Sequence, residues 1–323
     1  MSIDQTLMSR RSFVGGIAGT VVVSALPSQS VPLYSQKASI TAAQMRAGGA
    51  IAKITVVPVR NSIRALMGSG GNVLVLPGSD GKLSVDSGFA TSRAQITEAL
   101  AGISPEPLRH VVNTHWHFDH TDGNEWMHEA GATIIAQEKV RERMSSRQTI
   151  PAFDAILAPS PAAALPTIVF AQTHKVTLNG EVIQLSRLTP AHTDTDTSVF
   201  FTNANVLHTG DTFFNGYYPF IDYNSGGGID GLLAASKENL SLSDEKTVVV
   251  PGHGGLGTRK DLVDFNEMIV TVHARVKELK KSGRSLDEVI AANPTTKFDA
   301  KWGGGFVSPS FVAELIFVGV EPK

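Results

Sequence analysis

Residues 115–120 read HWHFDH, which places three histidines and one aspartate within six positions. They follow the run LRHVVNT, whose apolar and β-branched residues predict a strand, so the cluster lies at the C-terminal end of that strand. Side chains two positions apart share one face of an extended segment. His115 and His117 can therefore bind one cation, whereas Asp119 and His120 lie past a turn and can reach a second.

Three further stretches resemble this cluster in chemistry and position. They are TPAHTDTD with His192, HTGD with Asp211 and PGHGG with His253, and each follows an apolar, strand-like run. If these strand ends converge on one face, five of the ten histidines meet there with two aspartates. The chain has no cysteine, so the ligands of a bound cation would all be nitrogen or oxygen. Such donors suit zinc, which is our first choice, and also iron or manganese.

Strands and helices alternate in both halves of the chain after residue 50. Segments such as NVLVLPG, GATIIAQ and KTVVVPG predict strands, whereas TSRAQITEALAGI and GIDGLLAASKENLSL predict helices. This order predicts an α/β (α+β) fold in which two mixed sheets pack together with helices outside. We expect one domain over residues 51–323. A linker precedes it over residues 26–50, where the chain is small, polar and rich in alanine and glycine.

The first residues carry the pattern of an export signal. Paired arginines, Arg10 and Arg11, precede an apolar stretch over residues 14–26 that is too short for a permanent membrane span. The pattern resembles a twin-arginine signal with cleavage after Ala25. We expect residues 1–25 to be this signal, and the mature protein to be periplasmic or secreted without a membrane anchor. A peripheral helix of a cytosolic protein is the alternative.

Charge and composition indicate which kind of molecule the protein binds. The 323 residues are 42% hydrophobic and 18% charged with a net charge of −2, which fits a soluble globular protein. Lysine and arginine form no dense run beyond the first residues and the short KELKKSGR. We therefore expect a small-molecule substrate and no nucleic-acid partner. The sequence indicates no oligomeric state.

HWHFDH, followed in order by His192, Asp211 and His253, resembles the metallo-β-lactamase superfamily of hydrolases. The resemblance covers nearly the whole chain after residue 50 and implies a four-layer αββα sandwich. It also implies two divalent cations that share a bridging aspartate. The implied ligands are His115, His117 and His192 for the first cation, Asp119, His120 and His253 for the second, and Asp211 as the bridge.

The aspartate at position 211 indicates which branches of this family the chain resembles. Many of the family's true β-lactamases have cysteine, or no ligand, at this place, whereas a bridging aspartate is similar to hydroxyacylglutathione hydrolases and lactonases. The flavodiiron branch typically has glutamate where His117 stands, so the resemblance disfavours oxygen reduction.

The resulting hypothesis is an exported dinuclear hydrolase. Water activated by the cations would attack a carbonyl group, and Asp119 would orient that water and later move a proton. The expected substrates are lactones, other cyclic acyl compounds, activated esters or thioesters, with β-lactam cleavage as a side activity. A true β-lactamase, a redox enzyme and a non-catalytic metal-binding protein are the alternatives.

Three features have a less direct chemical meaning. Asp86 ends a predicted strand, where it either forms a turn or hydrogen-bonds to a ligating histidine. Tyr217, Tyr218 and Phe220 either line a substrate pocket or belong to the core. The Pro/Ala-rich segment 151–167 interrupts all periodicity, and it either flanks the site or is a solvent loop without function.

Overall fold

Two mixed β-sheets form the centre of the structure, a computed structural model that describes residues 34–321. The strands, in chain order, are β1 (Thr55–Arg60), β2 (Ile63–Met67), β3 (Val73–Leu76), β4 (Lys82–Val85), β5 (Leu108–Val112), β6 (Thr133–Gln137), β7 (Gln148–Ile150), β8 (Ala155–Leu157), β9 (Ile168–Phe170), β10 (Thr173–Leu178), β11 (Glu181–Arg187), β12 (Thr197–Phe201), β13 (Val206–His208), β14 (Phe214–Asn215), β15 (Val248–Val250), β16 (His253–Gly254) and β17 (Gly257–Thr258).

The first sheet has seven strands in the order β1-β2-β3-β4-β5-β6-β9, and the second has six in the order β10-β11-β12-β13-β15-β17. Strands β1 to β4 pair antiparallel, and β4, β5, β6 and β9 pair parallel. In the second sheet only the pair β13–β15 is parallel. The hairpin between β10 and β11 turns at Asn179-Gly180, where both residues have positive φ, as the sequence predicts.

Helices cover the outer face of each sheet. They are α1 (Ala42–Ile51), α2 (Arg93–Ile103), α3 (Phe118–Thr121), α4 (Asn124–Glu129), α5 (Glu138–Met144), α6 (Ile229–Ser241), α7 (Arg259–Lys281), α8 (Leu286–Ala291), α9 (Asp299–Trp302) and α10 (Pro309–Gly319). Helices α2 and α4 share an apolar cluster with the first sheet, and α6, α7 and α10 share another with the second.

Alternating side chains along the strands explain these layers. On β3, Leu74 faces the second sheet, whereas Val73 and Val75 face α2 and α4. On β13, Val206 faces the first sheet and Leu207 faces the helices. Both β3 and β13 are thus buried on both faces, which is why these two segments read as continuous apolar runs. The predicted sandwich of two mixed sheets with helices outside is confirmed.

Residues 34–51, called the N-terminal arm below, are not the linker that the sequence predicts. They contain α1, whose capping box joins Thr41 and Gln44. Tyr34 is buried, and the carboxylate of Glu314 on α10 accepts hydrogen bonds from the backbone of Ser35 and Gln36 at 2.7 and 2.9 Å. The arm therefore belongs to the folded unit, and its order depends on partners distant in sequence.

The predicted export signal at residues 1–25 lies outside the described residues, as does the part of the predicted linker before residue 34. Within residues 34–321, no helix is both long and apolar enough to cross a membrane.

The carboxylate of Glu314 gives a test of how the arm is held. Glu314 is 2% exposed, and its oxygens accept from Ser35 N, Ser35 Oγ and Gln36 N. Glu314→Gln replaces one acceptor by a donor that faces these N–H groups, so we expect the free energy of unfolding to fall by about 1–3 kcal/mol. Denaturant unfolding followed by circular dichroism measures this change.

The control is Glu267→Gln, which removes an exposed ion pair with Lys297. Exposed pairs contribute little, so this variant should unfold close to the parent. Equal unfolding midpoints for all three proteins would contradict the role given to Glu314.

Candidate metal centre

The predicted ligands lie on loops at the ends of strands from both sheets. HWHFDH leads from β5 into the short helix α3, and His192 follows β11. Asp211 follows β13, and His253 follows β15. The loop after β5 comes from the first sheet and the other three come from the second, so the cluster spans the edge where the two sheets meet.

All seven predicted ligand residues come together in three overlapping groups. Within each group, one donor atom per residue lies within 4.8 Å of the others. The groups are His115, His117 and His192; His115, His120 and Asp211; and Asp119, His120 and His253. Asp211 lies between the outer two groups, since its carboxylate is 3.2 Å from His120 Nε2, 3.5 Å from His192 Nε2 and 3.3 Å from His253 Nε2.

Hydrogen bonds at the rear of the rings orient two of the histidines. His192 Nδ1 donates to the carbonyl oxygen of Phe220 at 2.7 Å, and His117 Nε2 donates to Asp222 Oδ2 at 3.0 Å. These bonds place the ring proton on the rear nitrogen of each imidazole, because a carbonyl or carboxylate oxygen only accepts. The inward nitrogens, His192 Nε2 and His117 Nδ1, therefore carry lone pairs.

Asp86 orients His120 directly, and it orients His115 through Thr114. His120 Nδ1 donates to Asp86 Oδ2 at 2.7 Å. Thr114 Oγ1 also donates to Asp86 Oδ2, at 2.8 Å, so Thr114 Oγ1 accepts in turn from His115 Nδ1 at 3.0 Å. Asp86 has a φ of +63°, a left-handed conformation that aspartate tolerates better than most residues. The sequence left two roles open for Asp86, forming a turn or hydrogen-bonding to a ligating histidine. The structure contains the hydrogen bond, to the predicted ligand His120.

Two of the inward donor atoms lie unusually close to each other. His117 Nδ1 and His192 Nε2 are 2.8 Å apart although both present lone pairs. Among the described residues, His115 Nε2 and Asp211 Oδ1 are buried without a hydrogen-bond partner. Unpaired buried acceptors are destabilising unless a cation binds them, so this donor set fits divalent metal ions.

The electrostatics favour metal binding directly at His115, His192 and Asp211. Burial lowers the pKa of His115 well below its ordinary value and lowers the pKa of His192, so both rings are neutral at pH 7. Burial raises the pKa of Asp211, but the surrounding histidines, His253 first, outweigh it and hold that pKa well below the ordinary value. Neutral imidazole and ionised carboxylate are the forms that bind metal. At His120 and His253 the carboxylates of Asp211 and Asp119 outweigh burial and raise the pKa of each ring, to about 9 for His253, so these two rings would release a proton when metal binds.

Two glycines allow this close approach. A Cβ atom on Gly252 would lie 1.8 Å from Asp211 Oδ1, and one on Gly71 would lie 2.1 Å from His120 Cε1. The structure thus places Gly71 directly against the ring of the predicted ligand His120. Side chains at these two positions would displace Asp211 and His120.

The predicted pocket residues have different positions. Tyr218 is fully buried and its hydroxyl donates to Asp299 Oδ1 at 2.7 Å, so its prediction as a pocket residue is wrong. Tyr217 lines a cleft of about 830 Å³ that reaches Asp119 and His253. Phe220 lines a small cavity of about 20 Å³ beside His117 and His192.

The Pro/Ala-rich segment 151–167 borders the site and is not only a solvent loop. Phe153 lines the same small cavity as Phe220, with the two ring centroids 5.0 Å apart. Further along the segment, Pro159 and Pro161 line a separate surface cavity of about 250 Å³.

Asp222 is the functional residue that sequence reasoning missed. It is fully buried and anchored by the backbone N–H groups of Asn224 and Ser225. An aspartate followed by Asn and Ser is a local turn signal, but nothing in the sequence shows that His117 lies against it. His208, by contrast, is a core residue that hydrogen-bonds to Asn72 O and Gly210 N.

Comparison with protein families gives one match that covers most of the described residues. The model of the metallo-β-lactamase superfamily matches residues 66–253, which contain all seven predicted ligands. A hydroxyacylglutathione hydrolase from Polaromonas sp. is 30% identical over 230 residues, which cover 68% of this chain and 76% of the relative. A hydroxyacylglutathione hydrolase from Nitrosococcus oceani is 32% identical over 178 residues, which cover 53% of this chain and 59% of the relative.

Solved structures with the same fold act on chemically different compounds, by their titles. A metallo-β-lactamase from Pontibacter korlensis has a TM-score of 0.56 and 15% identity, covering 68% of this chain and 99% of its own. A stereoselective inverting sec-alkylsulfatase from Pseudomonas sp. has a TM-score of 0.61 and 16% identity, covering 88% of this chain and 53% of its own. At such identities these structures establish the fold alone.

The position of Asp211 predicts how metal content responds to its removal. Asp211→Asn removes a negative charge from the centre of the cluster and turns an N–H donor toward nitrogen lone pairs. We expect the affinity for zinc to fall at least about tenfold, a loss that even an outer-shell change can cause. Atomic emission spectroscopy after dialysis against a graded chelator measures the retained zinc.

Asp230→Asn serves as the control, because Asp230 is exposed on α6, away from the cluster. It should retain the metal content of the parent. Retention of the full metal content by Asp211→Asn would show that Asp211 does not lie between two ions.

Proposed function

This chain belongs to the metallo-β-lactamase superfamily and is a metal-dependent hydrolase, and we propose that it cleaves activated acyl bonds with two divalent cations. The observation that carries the proposal is the meeting of seven nitrogen and oxygen donors in three overlapping groups, with the carboxylate of Asp211 close to ring nitrogens of His120, His192 and His253. In this proposal His115, His117 and His192 hold one cation, Asp119, His120 and His253 hold the other, and Asp211 bridges them. Zinc fits these donors best.

Two bound cations would supply Lewis acidity to a carbonyl oxygen and lower the pKa of water toward about 7. The chain's own part is to keep the donors fixed. Asp86, Thr114 and Asp222 hold the histidine rings from the rear, so little reorganisation is needed when substrate binds.

Asp119 is the group that we propose acts on the reacting water. Asp119 and His253 belong to the cluster and also line the open cleft, so a substrate that enters the cleft meets them first. The carboxylate of Asp119 lies 3.2 Å from His253 Nε2. The pKa of Asp119 is about 2, because His120 and His253 outweigh the effect of burial, so the carboxylate is ionised and can accept a hydrogen bond from water.

The bond that we propose is a carbonyl–oxygen or carbonyl–sulfur bond in a lactone, another cyclic acyl compound, an activated ester or a thioester. Hydrolysis of hydroxyacylglutathione by the named relatives supports acyl chemistry at such a site. A strained or activated acyl group needs less help with its leaving group than a plain amide does. We therefore place β-lactam cleavage second.

A panel of substrates tests this proposal. Zinc-loaded protein should hydrolyse at least one lactone, ester or thioester faster than any β-lactam, phosphodiester or sulfate ester at equal concentration. His117→Ala removes an inward nitrogen, so the activity should fall at least about 100-fold. Initial rates across the panel give the order of substrates.

The matched control is His273→Ala, which removes a half-buried histidine on α7 and should leave the rates unchanged. Efficient cleavage of sulfate esters or phosphodiesters together with inert acyl substrates would overturn the proposal.

We also propose that the protein is exported in folded form through its paired arginines, Arg10 and Arg11. The support is the sequence pattern alone. A route for folded proteins suits this site, because its ligands come from four separate loops and assemble only on folding.

Replacing Arg10 and Arg11 together by lysine tests export. The double variant should accumulate inside the cell as a folded precursor, because a twin-arginine route requires the arginine pair. Immunoblots of cytoplasmic and periplasmic fractions measure the distribution. The exposed change Arg109→Lys is the control, and an unchanged periplasmic yield of the double variant would disprove this route.

A further inference from the structure

An open cleft of about 830 Å³ leads from the surface to Asp119 and His253. Its volume lies within the range of small-molecule sites. Met45 and Phe306 line both this cleft and the small cavity beside His192, so the two spaces adjoin at the cluster. A substrate that reaches the proposed metal ions therefore contacts the walls of this cleft.

Two walls of the cleft lie outside the residues that the family model matches, 66–253. One is the N-terminal arm, which contributes residues between 39 and 49, and the other is the loop at 304–306. The backbone N–H of Ser39 donates to Phe306 O at 3.1 Å, so the two walls are joined. These two walls thus lie outside the region that the family model matches, whereas the predicted ligands and the rest of the lining, apart from Gly254 and Gly255, lie within it.

The arm is fixed against the loop of the proposed ligands. Arg46 forms a bidentate ion pair with Asp122, at 2.7 and 2.9 Å, two residues after His120. Ser92 Oγ donates to Gly49 O at 2.8 Å. These contacts position α1 as a fixed wall, and they also neutralise Arg46, the cation of the arm that lies nearest the cluster loop.

Apart from the two cluster residues, the side chains that line the cleft are uncharged, and most of the larger ones are apolar. Among the described residues, neither lysine nor arginine lines it. The apolar lining consists of Ile40, Met45, Met67, Phe89 and Phe306, with Tyr217 at one side.

Most polar side chains of the lining already have partners. Gln44 Oε1 accepts from Thr41, and Asn72 Nδ2 donates to the carbonyl oxygens of Pro251 and Gly254. Ser69 is paired with Ser92. A carboxylate in this cleft would lose water without gaining a cationic partner from the walls, whereas an alkyl chain would bury apolar surface.

We propose that this cleft selects an uncharged acyl substrate with an apolar chain, and that it discriminates against acyl-glutathione, which carries two carboxylates. The inference rests on the proposed acyl hydrolysis. It assigns the specificity to the N-terminal arm and the loop at 304–306, and therefore separates this chain from the substrate for which its relatives are named.

Gly48 on α1 allows the wall to be changed without disturbing the fold. A Cβ atom there would meet no atom within 4 Å, so leucine fits without a clash and adds its volume to the wall of the cleft. Gly102 on α2 is the matched control, since it is also exposed and helical with no atom within 4 Å, but it lies on a different surface. Leucine is a better helix former than glycine, so neither change should weaken its helix.

The first measurement uses zinc-loaded full chain and p-nitrophenyl acetate, butyrate and octanoate. We expect kcat/KM to rise about twofold to fourfold per methylene, as burial of apolar surface predicts. Gly48→Leu should flatten this dependence and lower kcat/KM for octanoate at least about tenfold, whereas Gly102→Leu should match the parent. A flat dependence in the parent would overturn the inference.

The second measurement compares two thioesters with the same acyl group, S-lactoylglutathione and uncharged S-lactoyl-N-acetylcysteamine. We expect the uncharged thioester to have the higher kcat/KM, by at least about tenfold. If S-lactoylglutathione is the better substrate, the inference is wrong while the proposed acyl hydrolysis stands.

The third measurement follows binding without turnover, by ligand-observed NMR titration of 2-decanone and of glutathione. The parent should bind 2-decanone with or without zinc, and Gly48→Leu should bind it at least about tenfold more weakly. Tighter binding of glutathione than of 2-decanone would overturn the inference. Binding of 2-decanone together with no hydrolysis of any acyl compound would support the inference about the cleft and overturn the proposed function.

Discussion

Lone pairs that face one another across the cluster are the constraint on which the rest of the structure depends. His117 Nδ1 and His192 Nε2 lie 2.8 Å apart, and the carboxylate of Asp211 lies within 3.5 Å of His192 Nε2 and of two more ring nitrogens, His120 Nε2 and His253 Nε2. Such an arrangement is unfavourable unless something holds the groups in place. The rear hydrogen bonds to Asp86, Asp222 and Phe220 do so, and each of these partners lies on a loop of the sandwich.

The cluster also joins the two sheets. The loop after β5 comes from the first sheet, and the loops after β11, β13 and β15 come from the second. Cations bound between these loops would link the sheets at one edge, in addition to the apolar layer between them. The same edge opens into the cleft, so donors of the cluster lie directly beside an opening of about 830 Å³ toward solvent.

The fold is shared with the family, whereas the substrate specificity that we propose depends on two walls of the cleft that lie outside the matched region. The matched region, residues 66–253, carries the ligands, and the arm and the loop at 304–306 stand over them from outside that region. Solved structures with this fold include a β-lactamase and a sulfatase at 15% and 16% identity. One fold can therefore carry sites for different substrates.

The sequence predicts the ligand cluster and the layers well, because both are local patterns. Apolar runs mark the strands, and chemically unusual residues follow them. The arm could not be predicted, because residues 34–50 are small and polar and their order comes from Glu314, 279 residues after Ser35. Asp222 was missed for the same reason, since its partner His117 lies 105 residues away. The prediction for Tyr218 failed in the opposite way. Tyr218 is close to Asp211 in sequence, but its side chain points to Asp299 and does not lie in the pocket.

The contact between Ser35 and Glu314 also affects when the cleft can be completed during synthesis of the chain. A ribosome adds about 5–20 residues per second, so the arm emerges on the order of tens of seconds before its partner on α10 is made. The ligand loops up to His253 are complete in that interval, but one wall of the cleft still lacks its anchor. During synthesis all seven predicted ligands are thus made before the residue that anchors the arm, so the arm can become a fixed wall of the cleft only after the whole ligand set has been synthesised.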